Sequence, residues 1–402
     1  MTVLTTAEQA VLDQAASAPM LAQVEAWAAI NSGTTNLDGL ADLAGRLADA
    51  FSILPGTVAL VDPDPVDSVD SKGHLTPIRR GQHLHVCVRP EAPVRLLLTG
   101  HMDTVFAADH PFQHLTWREP GVLNGPGTAD MKGGIAVILA ALQAFDSSPL
   151  APQLGYDVLI NSDEETGSHA SARLIAELAR GKAAALTYEP ALPDGTLAGA
   201  RPGSGNFSIT LHGKAAHAGR NPQDGRNAVL AAADLALRLA ALRRDDLSVN
   251  PARIDGGGPN NIVPDLAILR VNLRPKTPEA MADAQAALHQ AIAAIERDHD
   301  VHAHIHGGFN RPPKPIDAPA ERLYALVRDC GADLGLALHW RATGGVCDGN
   351  NIAACGIPVV DTMGPCGGAI HSDEEFLIVD SLAERAQLSA LTLLRLAARG
   401  GL

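Results

Sequence analysis

The chain has 402 residues, 46% of them hydrophobic and 19% charged, enough to bury a large core as two domains or one elaborated one. A formal net charge of −14 and an aromatic content of 3% exclude a nucleic-acid surface, which needs cations for phosphate and rings for bases. No apolar run approaches the ~20 residues of a membrane helix, so no membrane span is expected.

The opening stretch MTVLTTAEQAVLDQAASAPM has no basic region followed by an apolar one and is read as carrying no leader. The five cysteines (Cys87, Cys330, Cys347, Cys355 and Cys366) are odd in number and form no CxxC pair, so a reduced, cytoplasmic protein is expected. Apolar periodicity predicts helices over 7–18, 36–51, 131–146, 169–180, 224–243, 278–297, 319–334 and 379–398. Between the earlier helices lie the β-rich runs TVALV (57–61), HLHVCV (83–88), VRLLLTG (94–100), YDVLINS (156–162) and AAALTY (183–188). This alternation predicts an α/β domain with a mainly parallel sheet. After ARPGSGN the pattern becomes FSITLHG, a long helix, RIDGG and LAILRVNLRP, a second helix, and VHAHIHG, closed by NRPPKP (310–315). The expectation is one catalytic domain in two parts, 1–204 and 316–402, with an α+β unit inserted at 205–315 between Pro/Gly-rich hinges.

Chemistry gathers where the apolar runs end. LLLTGHMDTV (96–105) presents His101 and Asp103 two residues apart, on one side if the chain stays extended. Ligands bind beyond the carboxyl ends of such strands, and a nearby carboxylate can fix an imidazole's tautomer as a metal requires. A hydrogen-bonded histidine at a strand end is the plain alternative. In NGPGTADMKGG (124–134), Asp130 stands in a glycine-rich turn before a helix, where a simple N-cap is the alternative. NSDEETGS (161–168) crowds Asp163, Glu164 and Glu165 together, which does nothing for stability unless the turn is solvated or a cation lies opposite. Glu189 ends ALTYEP (185–190), and His371 follows a glycine-rich loop in GGAIHSDEEF (367–376). Singly, these are surface residues as easily as ligands. As a set they form an N/O donor collection suited to zinc, less selectively to cobalt or manganese, and large enough for two ions sharing a carboxylate. Asp163 is left as a structural residue of its turn, and the triplet His302, His304, His306 as the polar face of a strand.

The motifs GHMDTV, GTADMKGG, DEETGS, EP, GKAAHAGRNPQDGRNA, NNIVP and a late HSDEE span residues 96–376. In these motifs and their order the chain resembles the di-zinc exopeptidases and deacylases, the family of carboxypeptidase G, aminoacylase and the acetylornithine and succinyl-diaminopimelate deacylases. It is most similar to the carboxypeptidase G branch. The resemblance implies a zinc-exopeptidase-like α/β catalytic domain with an inserted, ferredoxin-like lid that forms a homodimer. It implies two zinc ions per subunit, one on His101, Asp130 and Glu189, the other on Asp130, Glu165 and His371, and a cis peptide at Asp130–Met131. Glu164 would be the general base and Asp103 the partner behind His101. His217 of the AHAG motif would reach into the partner's active site. Asn261 and Arg274 match residues that hold the substrate, and Arg311 matches an arginine used on the substrate carboxylate. GGVCDG (344–349) departs from the relatives, which carry Ser or Thr where this chain has Cys347. A thiol is the weaker hydrogen-bond partner, so the departure bears on specificity and not on reaction class.

The activity this implies is hydrolysis of an amide next to a free carboxylate, releasing a C-terminal amino acid such as glutamate from a small peptide or N-acyl conjugate. The alternatives are an N-acyl-amino-acid deacylase of the aminoacylase or acetylornithine type, with Asp348 facing a cationic substrate side chain, and a metal-dependent binding protein without turnover.

Overall fold

The strongest apolar runs assemble into one sheet. In the computed structural model, which describes residues 4–402 and leaves Met1–Val3 of the opening stretch outside, its strands run in the order Thr57–Val61, His83–Val88, Leu154–Asn161, Val94–His101, Ala184–Thr187, Val359–Val360. The first two pairings are antiparallel and the other three parallel. The sheet is thus mixed, parallel in three of its five pairings as alternation predicts and antiparallel at one edge. Thr57–Val61 and His83–Val88 are joined without a crossover helix, and only antiparallel neighbours can dispense with one.

Leu154–Asn161 is buried at every position, as a strand covered on both faces must be. The apolar run after Asp130 forms helix Gly133–Asp146, buried nearly all round, against helices Thr6–Ala16, Met20–Ala28 and Asp380–Arg399. The stretch Thr128–Asp146 alone among the described residues is long and apolar enough to cross a membrane, and it is 94% buried inside the fold. Thr6–Ala16 begins in a reciprocal cap between Thr5 and Glu8. Helix Met20–Ala28, which the periodicity does not mark, follows Pro19.

Between Ser204 and Arg311 a second sheet forms, entirely antiparallel, in the order Leu247–Gly256, Leu266–Pro275, Ser204–His212, His302–Arg311. Phe207, Ile209 and Leu211 alternate inward and meet Leu235 and Leu239 of helix Ala228–Ala240 and Leu288 and Ile292 of helix Pro278–His299. This core shares no residue with the larger one. His304 and His306 pair with Thr210 and Ser208, which places the histidine triplet on the helix-free face. That face meets the larger unit through the hairpin Val66–Val69 and Leu75–Ile78. There Arg270 Nη2 donates to the Val69 carbonyl at 2.8 Å, and His306 Nε2 lies 3.1 Å from the Asp67 carbonyl.

Candidate metal centre

Three adjacent parallel strands deliver most of the donors. Val94–His101 lies between its two neighbours with His101 level with Asn161 and Thr99 level with Thr187. Their carboxyl ends open side by side, so His101, Glu164, Glu165 and Glu189 converge on one place. Asp130 comes from the turn before helix Gly133–Asp146. Gly134 lets that helix begin against the sheet, since a Cβ there would meet the Tyr188 carbonyl at 2.0 Å. The Asp130–Met131 peptide is cis. His371 arrives between strands Gly367–Gly368 and Phe376–Ile378, which join Val122–Asn124 and Thr116–Glu119 in a small antiparallel sheet that the β-rich runs do not reveal.

Asp130 stands at the centre. Its Oδ1 is 3.0 Å from His101 Nε2 and its Oδ2 3.3 Å from His371 Nε2, so one carboxylate faces two imidazoles through different oxygens. His101 Nε2 is also 3.7 Å from Glu189 Oε2, and His371 Nε2 is 3.2 Å from Glu165 Oε2. By donor spacing, His101, Asp130 and Glu165 form one compact group and His101, Glu164 and Glu189 another. The remaining ring nitrogen, His101 Nδ1, lies 3.0 Å from the Asp103 carbonyl oxygen and 3.5 Å from the Asp103 carboxylate. Backbone more than side chain therefore holds the Nδ1–H and aims Nε2 at the acids. The Asp103 carboxylate accepts the N–H groups of Glu164 (3.1 Å) and Glu165 (3.2 Å) and the Thr34 hydroxyl (2.6 Å), which pins the acidic turn.

Burial and the Asp130 charge push Glu165 up to about 8. Burial pushes Glu164 up to about 7, against the pull of Arg311 and with the push of Glu189. Glu189 is raised by burial too. Asp130 is held below the carboxylate range by His101 and His371 although burial opposes it, and His371 is driven up to about 11 by Asp130 and Glu165. Four buried carboxylates repelling one another across two imidazoles make a site for cations, which displace the imidazole protons and offset the repulsion. The donors fit zinc, cobalt or manganese.

Glu375, to which spacing assigns no role, fixes the Asp130 turn. Its carboxylate accepts the backbone N–H groups of Gly127 (3.1 Å), Ala129 (3.0 Å) and Asp130 (3.0 Å). Its place in HSDEE, four residues after His371, is the one signal that could have found it. Asp163 accepts from the Ala170 N–H and Ser171 hydroxyl, both at 2.7 Å, and is structural to its turn.

A cavity of about 670 Å³ opens over the cluster, lined also by Arg201, Arg274 and Arg311. Arg311 is engaged with Glu164, where the resemblance puts it on a substrate carboxylate. Its Nη2 lies 2.7 Å from Glu164 Oε1 and donates to the Glu164 carbonyl at 2.8 Å. Arg201 and Lys314 share Asp361, at 2.7 and 3.2 Å, and the Cys347 thiol is 3.6 Å from the same oxygen. Asp348 is buried under Asn161 and Ser168 and does not line the cavity, so it cannot meet a substrate's cationic side chain.

His217 and Asn261 lie elsewhere. His217 is paired with Ile262 across a two-residue bridge, and Asn261 accepts the Ala218 N–H at 3.0 Å. Both are exposed on the smaller unit and neither lines the cavity of its own chain. His217 Nδ1 accepts the N–H groups of Gly219 and Arg220 at 3.1 Å, so Nε2 carries the proton and is the outward donor.

Residues 97–395 match the model of peptidase family M20/M25/M40. Carboxypeptidase G2 of Pseudomonas sp. (strain RS-16) is 31% identical over 316 residues, 75% of this chain and 74% of that one. A succinyl-diaminopimelate desuccinylase of Verminephrobacter eiseniae (strain EF01-2) is 28% identical over 71% of this chain and 74% of its own. Among solved structures, a Bacillus subtilis M20-family peptidase described as dinuclear metal-binding superposes with a TM-score of 0.65 at 15% identity, over 94% of this chain and 98% of that one.

Proposed function

This chain belongs to peptidase family M20/M25/M40, a family of metal-dependent hydrolases, and from that premise we propose that it cleaves an amide next to a free carboxylate, in the manner of a carboxypeptidase G. The observation that carries this reading is Asp130 facing His101 and His371 through separate oxygens, with Glu164 beside them under Arg311.

Two zinc ions would be held by His101, Asp130 and Glu189 and by Asp130, Glu165 and His371; cobalt or manganese would also fit. Such ions supply a water made acidic enough to lose a proton near neutral pH and an electrophile for the carbonyl. Glu164 takes that proton and delivers it to the leaving amine, since its buried carboxylate stands beside the metal donors. Arg311 keeps the Glu164 carboxylate aimed by holding its backbone and side chain at once. Arg274, whose guanidinium is fixed to Asn272 and the Gly344 carbonyl at the cavity wall, receives the substrate carboxylate, as its fork allows.

His217 acts on the second copy of a homodimer, and Asn261 goes with it because the two are neighbours. Support comes from the smaller unit. Leu230 and Leu237 are 60% and 72% exposed, seven residues apart on one helix face, and Leu247–Gly256 is an edge strand. In the partner's site, His217 Nε2–H would stabilise the oxyanion, worth ~3–4 kcal/mol for a well-placed donor. Five unpaired cysteines support a reducing, cytoplasmic setting. The deacylase alternative keeps this machinery and changes only the acyl group. The cationic cavity wall favours anionic substrates over the acetylornithine type.

The test is amine release from N-acyl amino acids, dipeptides and folate-type glutamate conjugates, with zinc and with EDTA. Metal-dependent release favouring acidic residues is expected. A protein that binds these compounds without any release would be a binding protein and not a hydrolase.

A further inference from the structure

A second cavity, of about 650 Å³, lies between the hairpin at 66–78 and the helix-free face of the smaller sheet. Thr166, Asn206 and Asn310 line both it and the cavity over the cluster, so the two adjoin. Along strand Leu266–Pro275, Arg274 lines the first cavity, Arg270 the second and Asn272 stands between them. Alternation puts all three on one face. One polar strand face therefore runs from the first cavity to the second.

The charges there are unusual for a protein of net charge −14. Arg80, Arg270, His169 and His306 line the second cavity, against the single acid Asp67. Arg270 is already used, since it bonds Asp255 at 3.0 Å and the hairpin carbonyls. Arg80 is not: its Nη1 reaches only the Arg79 carbonyl at 3.4 Å, and its buried Nε has no hydrogen-bond partner. Burial lowers the His169 pKa, the Asp163 charge opposing and Arg311, Arg80 and His306 assisting. A buried guanidinium N–H without a partner, with a second arginine on the same chamber, selects for an anion.

Resting on the hydrolase reading, we propose that this chamber is a distal subsite for an anionic substrate end. A substrate would lie along the Arg274–Asn272–Arg270 face with its scissile amide at the metal cluster and a carboxylate held by Arg80 at the far end. The preferred substrates are thus extended molecules with a second negative group beyond the reacting one.

Binding reads this without turnover. The zinc-loaded protein is titrated calorimetrically with pimelate and with heptanoate, which differ by one carboxylate at the far end. Pimelate is expected to bind at least about tenfold more tightly, the worth of one charge-assisted pair. Arg80→Gln should abolish that advantage without changing heptanoate binding, and Arg80→Lys should restore part of it. Equal binding of the two probes, or an advantage that survives in Arg80→Gln, would overturn the proposal. The second outcome would place the extra carboxylate on Arg201 or Arg274 instead. The parent reading fails separately, if wild-type protein releases no amine from any N-acyl amino acid while its binding preference stands.

Discussion

A single buried acid and a group of buried acids on the same sheet have opposite surroundings. Asp157 sits within 2.7 Å of His85, 2.8 Å of Lys182 and 3.7 Å of Arg95. These cations draw its pKa down to about 2, although burial opposes them. Glu164, Glu165 and Glu189 crowd around Asp130 with fewer cations than charges, and all three are raised. One carboxylate with its cations already present belongs to the architecture. Several that outnumber their cations belong to a ligand. The difference is visible without any ion, and it separates the site from an ordinary buried salt bridge more sharply than burial does.

The largest effect that sharpens this contrast falls on the base. Glu164→Gln keeps the shape but replaces one acceptor oxygen by an NH2 and cannot accept a proton, so kcat should fall ~10²–10⁴-fold while zinc content by emission spectroscopy stays unchanged. A variant with full turnover would move the base elsewhere. Next comes His217→Ala, expected to cost ~10²–10³-fold in kcat with fold and metal intact. Mixing the Glu164→Gln and His217→Ala proteins should restore about a quarter of the wild-type activity, because half of the dimers formed are mixed and carry one intact site. If mixing restores nothing, His217 serves its own chain or none.

Removing metal should be felt only by the unmatched group. An ion that binds the folded state at a hundred times its Kd adds ~2.7 kcal/mol of stability, so EDTA should lower the unfolding midpoint measurably. Glu375→Gln, which weakens the acceptor for three backbone N–H groups, should loosen zinc ~10–100-fold, as changes behind a metal ligand do. An unchanged zinc affinity would make Glu375 a purely structural acid.

Much of the catalytic unit is legible in the chain because its cause is local. An apolar run ending in His101, Glu164 or Glu189 is a strand with its carboxyl end marked, and parallel neighbours bring those ends together. The acids crowd in sequence as they crowd in space. Pairing direction is not local, which is why HLHVCV reads as one more strand of a mainly parallel sheet while it pairs antiparallel. Helix Met20–Ala28 is hidden because its apolar residues hardly alternate with polar ones. Arg311 is unreadable for another reason. It lies 147 residues from Glu164 along the chain, and only the packing of two units shows that the two side chains meet.

The smallest expected effect tests the matched acid. Asp157 has its folded pKa depressed from 3.8 to about 2. Its contribution is therefore fully present above the unfolded value and is lost as pH falls through the folded one, between pH ~4 and ~2. The size is about 1–2 kcal/mol, since His85 and Arg95 are partly exposed and screened. Asp157→Asn alone would leave Lys182 buried and uncompensated. The fair comparison is Asp157→Asn with Lys182→Met, which removes both charges. Denaturant unfolding in that acid window should then fall less steeply with pH than in wild type, by up to about one proton's worth of slope. Glu164 and Glu165 of the cluster, pushed up to about 7 and about 8, titrate well above this window. An acid slope unchanged by the double substitution would mean that Asp157 is no more strongly held than a surface acid.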